Sequence, residues 1–384
     1  MSGGAVIHSA RLVSGGAVTD DAWVAFEGGL VSAVGTGGGW TALGGESDRV
    51  TDARGRWLTP GFVDLHCHGA GTAAFDEGAD AIRTGLEVHH RHGSTRVVLS
   101  LVTATQADLE ERVAVVAAAA EENPLILGAH LEGPFLDTTF RGAHDPVLLR
   151  APDEDSVARL LAAGRGCIRQ VTLAPELPGA AEAIRTFVDA GVVVAVGHSA
   201  ADYETALAAF DAGASILTHA FNGMRGIHHR APGPIAAATH SAGVTLEVIN
   251  DGVHVHPEVV RLAFAGAPGR IALITDAMAA TGASDGIYLL GSLEVTVADG
   301  VARLTDGGSI AGSTLTLDVA LRRAVTEVGV SIEEAVTALT ETPARAIGRG
   351  HDLGLLAVGY AADAVLLSDD FEVEAVFAAG RRLV

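Results

Sequence analysis

The sequence contains no lysine, so all 25 of its lysine-plus-arginine residues are arginines. This absence excludes an enzyme that forms a Schiff base through lysine, a phosphate-binding loop with the Walker lysine, and a metal pair bridged by a carbamylated lysine. If two metal ions share a bridging side chain in this protein, that side chain must therefore be a carboxylate.

Cysteines, aromatic residues and long apolar runs are also scarce. The chain has only two cysteines, Cys67 and Cys167, which provide no disulfide framework and are typical of a reducing compartment. No run of about 18 apolar residues marks a membrane span, and the N-terminus lacks the basic and apolar regions of a signal peptide. We therefore expect a cytoplasmic protein with a largely aliphatic core, since aromatic residues make up 4% of the chain.

Acidic residues outnumber basic ones by 47 to 25, which gives a formal net charge of −22. Nucleic acids and anionic membranes attract proteins through patches of positive charge. We therefore expect neither as a partner, and an anionic substrate would need a local positive pocket.

Apolar strands alternate with amphipathic helical segments from Pro60 onward. The expected strands cover residues 61–66, 95–102, 125–131, 168–174, 192–197, 215–218, 244–250 and 271–275. About eight parallel strands with crossover helices over roughly 280 residues are typical of an α/β fold of the TIM (β/α)8 barrel type. A doubly wound open sheet is the structural alternative.

Both ends of the chain have strand patterns of their own. Residues 1–57 contain short β segments separated by glycine pairs, and the alternation returns within 348–384. We predict that 1–57 and 348–384 form a small β-sandwich domain beside a barrel of residues 58–347. We also expect a β-hairpin insertion near 284–312, where alternation interrupts the strand–helix period.

The first barrel strand ends in two histidines, His66 and His68, on either side of Cys67. Side chains alternate across a strand, so the two imidazoles share one face and Cys67 points away. Two imidazoles on one face can chelate a divalent metal ion. A buried strand with incidental histidines has the same short pattern. The residues at the other strand ends are therefore needed to distinguish a metal site from such a strand.

Catalytic residues of a barrel lie at the C-terminal ends of its strands. The predicted strand ends supply a set of metal-binding side chains: His66, His68, Glu132, His198, His219 and Asp276. This set provides the ligands of one or two divalent metals plus a carboxylate base, which accepts a proton from a water acidified by the metal and returns it to a leaving group. Asp276 is the candidate base, because Glu132 can serve as the bridge.

These strand ends carry motifs of a known family. The motifs are PGFVDLHCHG (60–69), HLEGPF (130–135), GHS (197–199), THAFNGM (218–224), DGVH (251–254), TDAM (275–278) and IAGSTLT (310–316). Through them the sequence resembles the amidohydrolase superfamily and, within it, the N-acetylglucosamine-6-phosphate deacetylases. The resemblance spans essentially the whole chain.

The resemblance implies a divalent metal cofactor with one or two ions per subunit. Zinc is the first expectation, and iron or another divalent ion is the alternative. By resemblance, Glu132, His198 and His219 bind the main ion. His66 and His68 bind a second ion together with Glu132, which takes the place of the carbamylated lysine found in many amidohydrolases.

The resemblance also implies a reaction, the hydrolysis of the acetamide of N-acetylglucosamine 6-phosphate. A metal-bound hydroxide attacks the carbonyl, His144 polarises the carbonyl oxygen, and Asp276 passes the water proton to the departing amine. The implied products are glucosamine 6-phosphate and acetate.

The resemblance places the sugar- and phosphate-binding positions at Ala143, His144, Asn222, Gly223, Arg230, His254, Ile310, Ala311 and Gly312. A second argument supports Arg230, since His228, His229 and Arg230 form a local cationic cluster and a guanidinium can bind phosphate in a bidentate manner. The family reading also suggests a homodimer.

Other functions stay open at this point. The same chemistry on another N-acetylated amino-sugar phosphate, such as the galactosamine epimer, is the first alternative. A dipeptidase or cyclic-amide hydrolase on the same barrel is less favoured, because the carbamylated versions need a lysine. A non-enzymatic scaffold is disfavoured, because such proteins usually lose metal ligands or the base and this sequence keeps them.

Overall fold

The computed structural model describes residues 4–43 and 49–384. The chain begins with β1 (Ala5–Ser14), β2 (Ala17–Glu27), β3 (Leu30–Thr36), β4 (Val50–Asp52) and β5 (Trp57–Pro60), and a 3-10 helix covers Gly37–Leu43. Strands β1 and β2 are antiparallel and are joined by Gly15 and Gly16, whose φ angles are 64° and 70°. A two-residue hairpin turn of this kind needs positive φ at both positions, which explains the glycine pair.

The strands of the barrel follow in the order that the sequence predicts. They are β6 (Phe62–Cys67), β9 (Ser94–Val102), β10 (Ile126–Glu132), β11 (Ile168–Leu173), β12 (Val193–Val196), β13 (Ile216–Leu217), β14 (Thr245–Ile249) and β15 (Ile271–Ile274), and the loop after β6 contains the short hairpin β7 (Gly69–Ala70) and β8 (Ala73–Ala74). Hydrogen bonds join the eight strands in sequence order. The backbone N–H of Asp276, just after β15, donates to the His66 carbonyl at 2.8 Å and brings the two edges together. The predicted barrel is therefore confirmed, and the open-sheet alternative is wrong.

Helices alternate with the barrel strands and continue after them. They are α1 (Ala79–Arg91), α2 (Gln106–Glu122), α3 (Glu154–Gly164), α4 (Ala180–Asp189), α5 (Tyr203–Asp211), α6 (Gly233–His240), α7 (Pro257–Gly266), α8 (Leu317–Arg323), α9 (Ile332–Leu339) and α10 (Glu341–Ala346), with a 3-10 turn at Phe75–Glu77 and a π-helical turn at Ala324–Val328. In α2 the Thr105 side chain caps the first turn, and Leu109, Val113 and Val116 repeat at helical spacing on the buried face. Within residues 4–43 and 49–384, no helix has the length and apolar character needed to cross a membrane.

The insertion after β15 is a three-stranded antiparallel meander, one strand more than the predicted hairpin. Its strands are β16 (Gly286–Leu290), β17 (Leu293–Ala298) and β18 (Val301–Leu304). Leu290 and Val295 pack with Met278 and Ala311 in one buried cluster. The Ala311 N–H also donates to the Ala302 carbonyl at 3.1 Å. The meander therefore holds the segment around Ala311 in place.

The C-terminal strands return to the sheet formed by the N-terminal strands. They are β19 (Ala364–Leu367), β20 (Val373–Ala378) and β21 (Arg381–Arg382), and the sheet runs in the order β21-β20-β19-β5-β1-β2-β3 with β4 beside β1. Leu30 bridges Ala361, so this single sheet curls around a core that includes Ile7, Phe26 and Phe377. The predicted union of both chain ends in one β structure is confirmed, whereas the domain boundaries 1–57, 58–347 and 348–384 stay predictions.

Packing divides the chain into two compact units. One comprises the described residues up to Asp64 together with His89–Arg96 and Leu317–Val384, and the other comprises Leu65–Val88 and Val97–Thr316. All side chains of the site described next belong to the second unit.

Candidate active site

The C-terminal ends of the barrel strands bring the predicted metal-binding side chains together. These residues lie at or just after the ends of β6, β10, β12, β13 and β15: His66, His68, Glu132, His198, His219 and Asp276. All are buried, with exposures between 0% and 8%. The φ angles of His198, His219 and Asp276 are 47°, 26° and 49°. Such conformations are unfavourable for residues other than glycine and concentrate at functional sites.

The Glu132 carboxylate lies at the centre of the cluster. Its Oε1 atom is 3.1 Å from Nε2 of His198 and 3.1 Å from Nε2 of His219. Its Oε2 atom is 3.1 Å from Nε2 of His68, and Oε1 is 3.4 Å from Nε2 of His66. One carboxylate therefore contacts both pairs of histidines, as a bridging ligand must.

His66, His68 and Asp276 form one compact group of possible ligands. The two Nε2 atoms are 3.1 Å apart, and Oδ1 of Asp276 lies 3.4 Å from that of His66 and 3.3 Å from that of His68. Two donors at about 2.1 Å from a tetrahedral ion are roughly 3.4 Å apart. The three side chains therefore have the spacing of metal ligands.

His198 and His219 form the second group with Glu132. Their Nε2 atoms are 2.9 Å apart. The Nδ1 atom of His198 lies 2.9 Å from the carbonyl oxygen of Phe140. A carbonyl only accepts hydrogen bonds, so Nδ1 carries a proton, and Nε2 is the ring nitrogen that faces the carboxylate and the other histidine. Converging lone pairs and negative charge need a cation between them, and the residues therefore fit a divalent metal ion.

The charges of the cluster depend strongly on one another. Burial lowers the pKa of His68, but its hydrogen bonds with Asp276 and Glu132 outweigh this effect and raise the pKa to about 9. The pKa of His66 is also raised, because the same two carboxylates outweigh its burial. Burial acts to raise the pKa of Asp276, but His66 and His68 hold it well below its usual range. In the protein alone, histidine protons therefore supply the positive charge that a metal ion would supply.

His144 lies on the other side of Glu132. Its Nε2 atom is 3.5 Å from Oε2 of Glu132, and its Nδ1 atom is 2.8 Å from the Thr103 hydroxyl. Burial lowers the pKa of His144 to about 4, so the ring is neutral at pH 7. Glu132, His144 and His198 also form a compact group of possible metal ligands.

Glu247 is a buried carboxylate that the sequence analysis missed. Its Oε2 atom is 3.4 Å from Nδ1 of His66, and its Oε1 atom accepts a hydrogen bond from Gln170 at 2.9 Å. An outer carboxylate of this kind fixes which ring nitrogen carries the proton and leaves the other nitrogen free for a metal. In the sequence, Glu247 is recognisable as the single acidic residue within the apolar strand β14.

His130 lies next to the cluster without joining it. Its Nδ1 atom is 2.9 Å from the Ser100 hydroxyl, and its Nε2 atom is 2.8 Å from the Thr172 hydroxyl. Burial, with the neighbouring His66, keeps the pKa of His130 well below its usual value. Both ring nitrogens are thus engaged, and His130 acts as a core partner of the site.

A cavity of about 280 Å³ opens above these side chains. The predicted substrate positions that line it are Ala143, His144, Asn222, Gly223, His254, Ile310 and Gly312. Gly223 has a φ of 60°, and a Cβ atom there would lie 2.9 Å from Nδ1 of His198. A residue larger than glycine would therefore displace the ring of a predicted metal ligand.

Two predicted substrate positions do not line the cavity, Arg230 and Ala311. Arg230 is exposed in the segment after β13 and does not line the cavity of its own chain. Its predicted contact with the phosphate stays a prediction. Ala311 is fully buried under the meander, because its side chain packs into the apolar cluster there.

Comparison with known proteins gives the same picture as the geometry. Residues 57–383 match the model of the amidohydrolase family. The chain is 39% identical to the N-acetylglucosamine-6-phosphate deacetylase of Vibrio furnissii over 328 residues, which cover 84% of this chain and 82% of that protein. It is also 39% identical to the N-acetylgalactosamine-6-phosphate deacetylase of Escherichia coli O157:H7 over 337 residues, 86% of this chain and 89% of that protein.

Solved structures agree along the full length of the chain. The N-acetylglucosamine-6-phosphate deacetylase of Mycobacterium smegmatis, solved as a variant with N-acetylglucosamine 6-phosphate bound, is 42% identical, with a TM-score of 0.94 and coverage of 100% of both chains. The same enzyme from Pasteurella multocida is 29% identical, with a TM-score of 0.93 over 99% of both chains. The chain therefore belongs to the amidohydrolase family, in the group of the N-acetylglucosamine-6-phosphate deacetylases.

Proposed function

We propose that this protein hydrolyses the acetamide of N-acetylglucosamine 6-phosphate and releases glucosamine 6-phosphate and acetate. The observation that carries the proposal is the Glu132 carboxylate at the base of the cavity, in contact with two histidine pairs and close to Asp276. Relatives that carry this activity in their names support the choice of substrate.

The donor set indicates which residues would hold the metal. Glu132, His198 and His219 would bind the main ion, and His66 and His68 would bind a second ion together with Glu132. When bound, the metal acidifies water and polarises the amide carbonyl. Imidazole and carboxylate donors suit zinc first, and they also suit iron.

Asp276 is the proposed general base and acid. Its carboxylate is ionised at neutral pH, because nearby histidines hold its pKa well below the usual range despite burial. It accepts a proton from the attacking water as the new C–O bond forms. It then donates this proton to the amide nitrogen as the C–N bond breaks, so the amine leaves uncharged.

His144 is proposed to bind the acetamide oxygen. The ring lines the cavity and is neutral at pH 7 because burial lowers its pKa to about 4. A neutral imidazole with its proton on Nε2 can donate a hydrogen bond to the carbonyl oxygen as negative charge develops there. The Thr103 hydroxyl lies 2.8 Å from Nδ1 of His144 and fixes the orientation of the ring.

The galactosamine epimer is the second candidate substrate. The relative from Escherichia coli O157:H7 that acts on N-acetylgalactosamine 6-phosphate is as similar to this chain, at 39% identity, as the relative from Vibrio furnissii. Overall identity therefore does not separate the two sugars, and the choice depends on a direct comparison of kcat/KM.

The test is acetate release by protein loaded with zinc or with ferrous iron. Wild-type protein is supplied in parallel with the two epimeric substrates and with a dipeptide, and Asp276→Asn serves as the inactive control. We expect release from an amino-sugar phosphate, and kcat/KM assigns the preferred epimer. No release from either sugar by protein that contains metal would overturn the proposal. A cytoplasmic location and a homodimeric state remain predictions, and gel filtration with light scattering checks the second.

A further inference from the structure

A carboxylate outside the cavity holds the turn that carries His198. Glu176 lies between β11 and α4, is half-buried and does not line the cavity. Its Oε2 atom accepts the hydroxyl of Ser199 at 2.7 Å, and its Oε1 atom accepts the backbone N–H of Ala200 at 2.5 Å. One side chain therefore binds the two residues that directly follow a predicted metal ligand.

The backbone of His198 depends on its surroundings for its conformation. Its φ angle of 47° is in the left-handed region, which is unfavourable for a residue with a Cβ atom and persists only where neighbouring contacts enforce it. The His198 carbonyl accepts the Asp137 N–H at 2.9 Å, and the Ser199 N–H donates to the Gly223 carbonyl at 3.0 Å. These two bonds fix the peptide group between His198 and Ser199, and the carboxylate of Glu176 fixes the next one along the chain.

The Ser199 hydroxyl extends this network. Its Oγ atom donates to Glu176 and accepts the N–H of Ala201 at 2.9 Å. Without the carboxylate, the buried Ser199 hydroxyl and the Ala200 N–H would lose their acceptor. Because a buried donor without an acceptor is costly, the turn would rearrange to find another one, and His198 would move with it.

Small movements of His198 matter because its Nε2 atom is close to the other predicted ligands of the main ion. This atom lies 3.1 Å from Oε1 of Glu132 and 2.9 Å from Nε2 of His219. Residues of a metal site must be held within about 0.5 Å of their working positions. The Phe140 carbonyl orients the ring by accepting its Nδ1–H at 2.9 Å, but the position of the ring depends on the turn that carries it.

We propose that Glu176 is a positioning residue that holds His198 as a ligand of the main metal ion. This inference rests on the metal site of the function proposed above. The outer partner of a metal-binding histidine usually accepts the N–H of the ring. Here a backbone carbonyl fills that role, and the carboxylate of Glu176 acts on the backbone that follows the histidine.

Glu176→Ala tests this role by chelator competition on cobalt(II)-loaded protein. The affinity for the main ion should fall about 10- to 100-fold, as after the loss of an outer partner of a metal ligand. The visible absorption of the bound cobalt should also change, since it depends on the ligands and their geometry. The ion of His66 and His68 should bind as in wild type, because these histidines lie at the end of β6. The release step that is missing in His66→Ala identifies this second ion.

Glu176→Gln should restore both the affinity and the absorption. Its amide oxygen accepts the Ala200 N–H, and its amide N–H donates to Oγ of Ser199, which can accept two hydrogen bonds, so we expect an affinity within about threefold of wild type. Ser199→Ala removes only the hydroxyl contact and should lower the affinity for the main ion about two- to tenfold. It therefore tests the role even if Glu176→Ala does not fold.

Glu182→Ala is the matched control. Glu182 is 76% exposed in the first turn of α4 and lies 3.6 Å from the Arg185 guanidinium. Its replacement removes the same side chain from the same part of the chain. Both affinities and the cobalt absorption should stay as in wild type.

Chelator competition needs no turnover, and this separates the inference from the proposed function. If wild type releases no acetate, but its main ion is weakened by Glu176→Ala and restored in Glu176→Gln, the proposed function fails and the positioning role stands. If Glu176→Ala and Ser199→Ala bind the main ion as wild type does, the role is wrong. If Glu176→Ala weakens both ions equally, the residue supports the fold and not His198 in particular, and the role is wrong as well.

Discussion

The Oε2 atom of Glu132 lies 3.1 Å from Nε2 of His68. Because the other oxygen of the same carboxylate contacts His198 and His219, one side chain joins the His66–His68 pair to the rest of the site. A chain without lysine has to use a carboxylate as this bridge, and Glu132 has the geometry for it.

His66→Ala should remove the second metal ion and keep the first. The substitution deletes one ligand of the His66, His68 and Asp276 group, whereas His198, His219 and Glu132 remain. We expect elemental analysis to find one ion fewer per chain, and kcat/KM to fall by roughly tenfold or less, since one ion suffices to activate water. His240→Ala, at the exposed end of α6, is the matched control. Loss of all bound metal would contradict an accessory role for the pair.

Asp276→Asn should abolish turnover while the main metal ion stays bound. An amide cannot accept the water proton, and the loss of a general base lowers kcat by about 10² to 10⁴-fold. Metal content and kcat are measured on the same preparation. If kcat survives in protein with full metal content, another group is the base.

Glu247→Gln should weaken the second metal site through His66. The Glu247 carboxylate accepts the His66 Nδ1–H at 3.4 Å, and an amide in its place removes the charge and can turn its own N–H toward the ring. Loss of such an outer partner typically weakens metal affinity about 10- to 100-fold. Competition with a chelator measures this change, with Glu204→Gln on the exposed side of α5 as the control. An unchanged affinity would mean that the contact is only structural.

The cluster of candidate metal ligands was predictable, because an apolar run followed by a polar residue marks the end of a strand in a sequence. Apolar runs followed by histidine or carboxylate gave His66, Glu132 and Asp276 at strand ends, and a barrel collects such ends on one face. His198, His219 and Asp276 lie two residues beyond strands that end at Val196, Leu217 and Ile274, so strand alternation does not fix their directions. Their positive φ angles do, and these depend on contacts that a sequence does not display.

The contacts of Glu247 and Thr103 with the histidines of the site could not be predicted from the sequence. Glu247 contacts a histidine 181 residues away in sequence, and Thr103 contacts His144 across 41 residues. Glu247 is a single acidic residue in an apolar strand, and closure of the barrel brings it to His66. Thr103 and His144 follow the neighbouring strands β9 and β10, and the pairing of these strands brings them together. Arg230 is exposed in its own chain, and its role as a phosphate ligand stays a prediction.

Asp76 provides a test of pH-dependent stability outside the metal-binding cluster. Its side chain is 6% exposed, and its Oδ1 atom is 3.1 Å from the Arg112 guanidinium. Its Oδ2 atom is buried without a hydrogen-bond partner among the described residues. Burial outweighs the attraction of Arg112 and raises the pKa of Asp76 from 3.8 to about 6.

The folded protein therefore keeps the Asp76 proton over a pH range in which the unfolded chain has lost it. A group with a raised pKa in the folded state stabilises the protein fully below pH 3.8, and this contribution is lost as the pH rises to about 6. The full effect corresponds to about 3 kcal/mol of unfolding free energy, at about 1.4 kcal/mol per pKa unit.

Asp76→Asn should remove this dependence, because an amide does not titrate. We expect the stability of wild type relative to the variant to fall between pH 4 and pH 6 and to stay level from pH 7 to pH 8. Urea midpoints measured for both proteins at each pH give the difference, in which the effects of other titrating groups and of metal release cancel. A difference that stays constant, or that grows with pH, would show that the folded protein holds Asp76 ionised through its pair with Arg112.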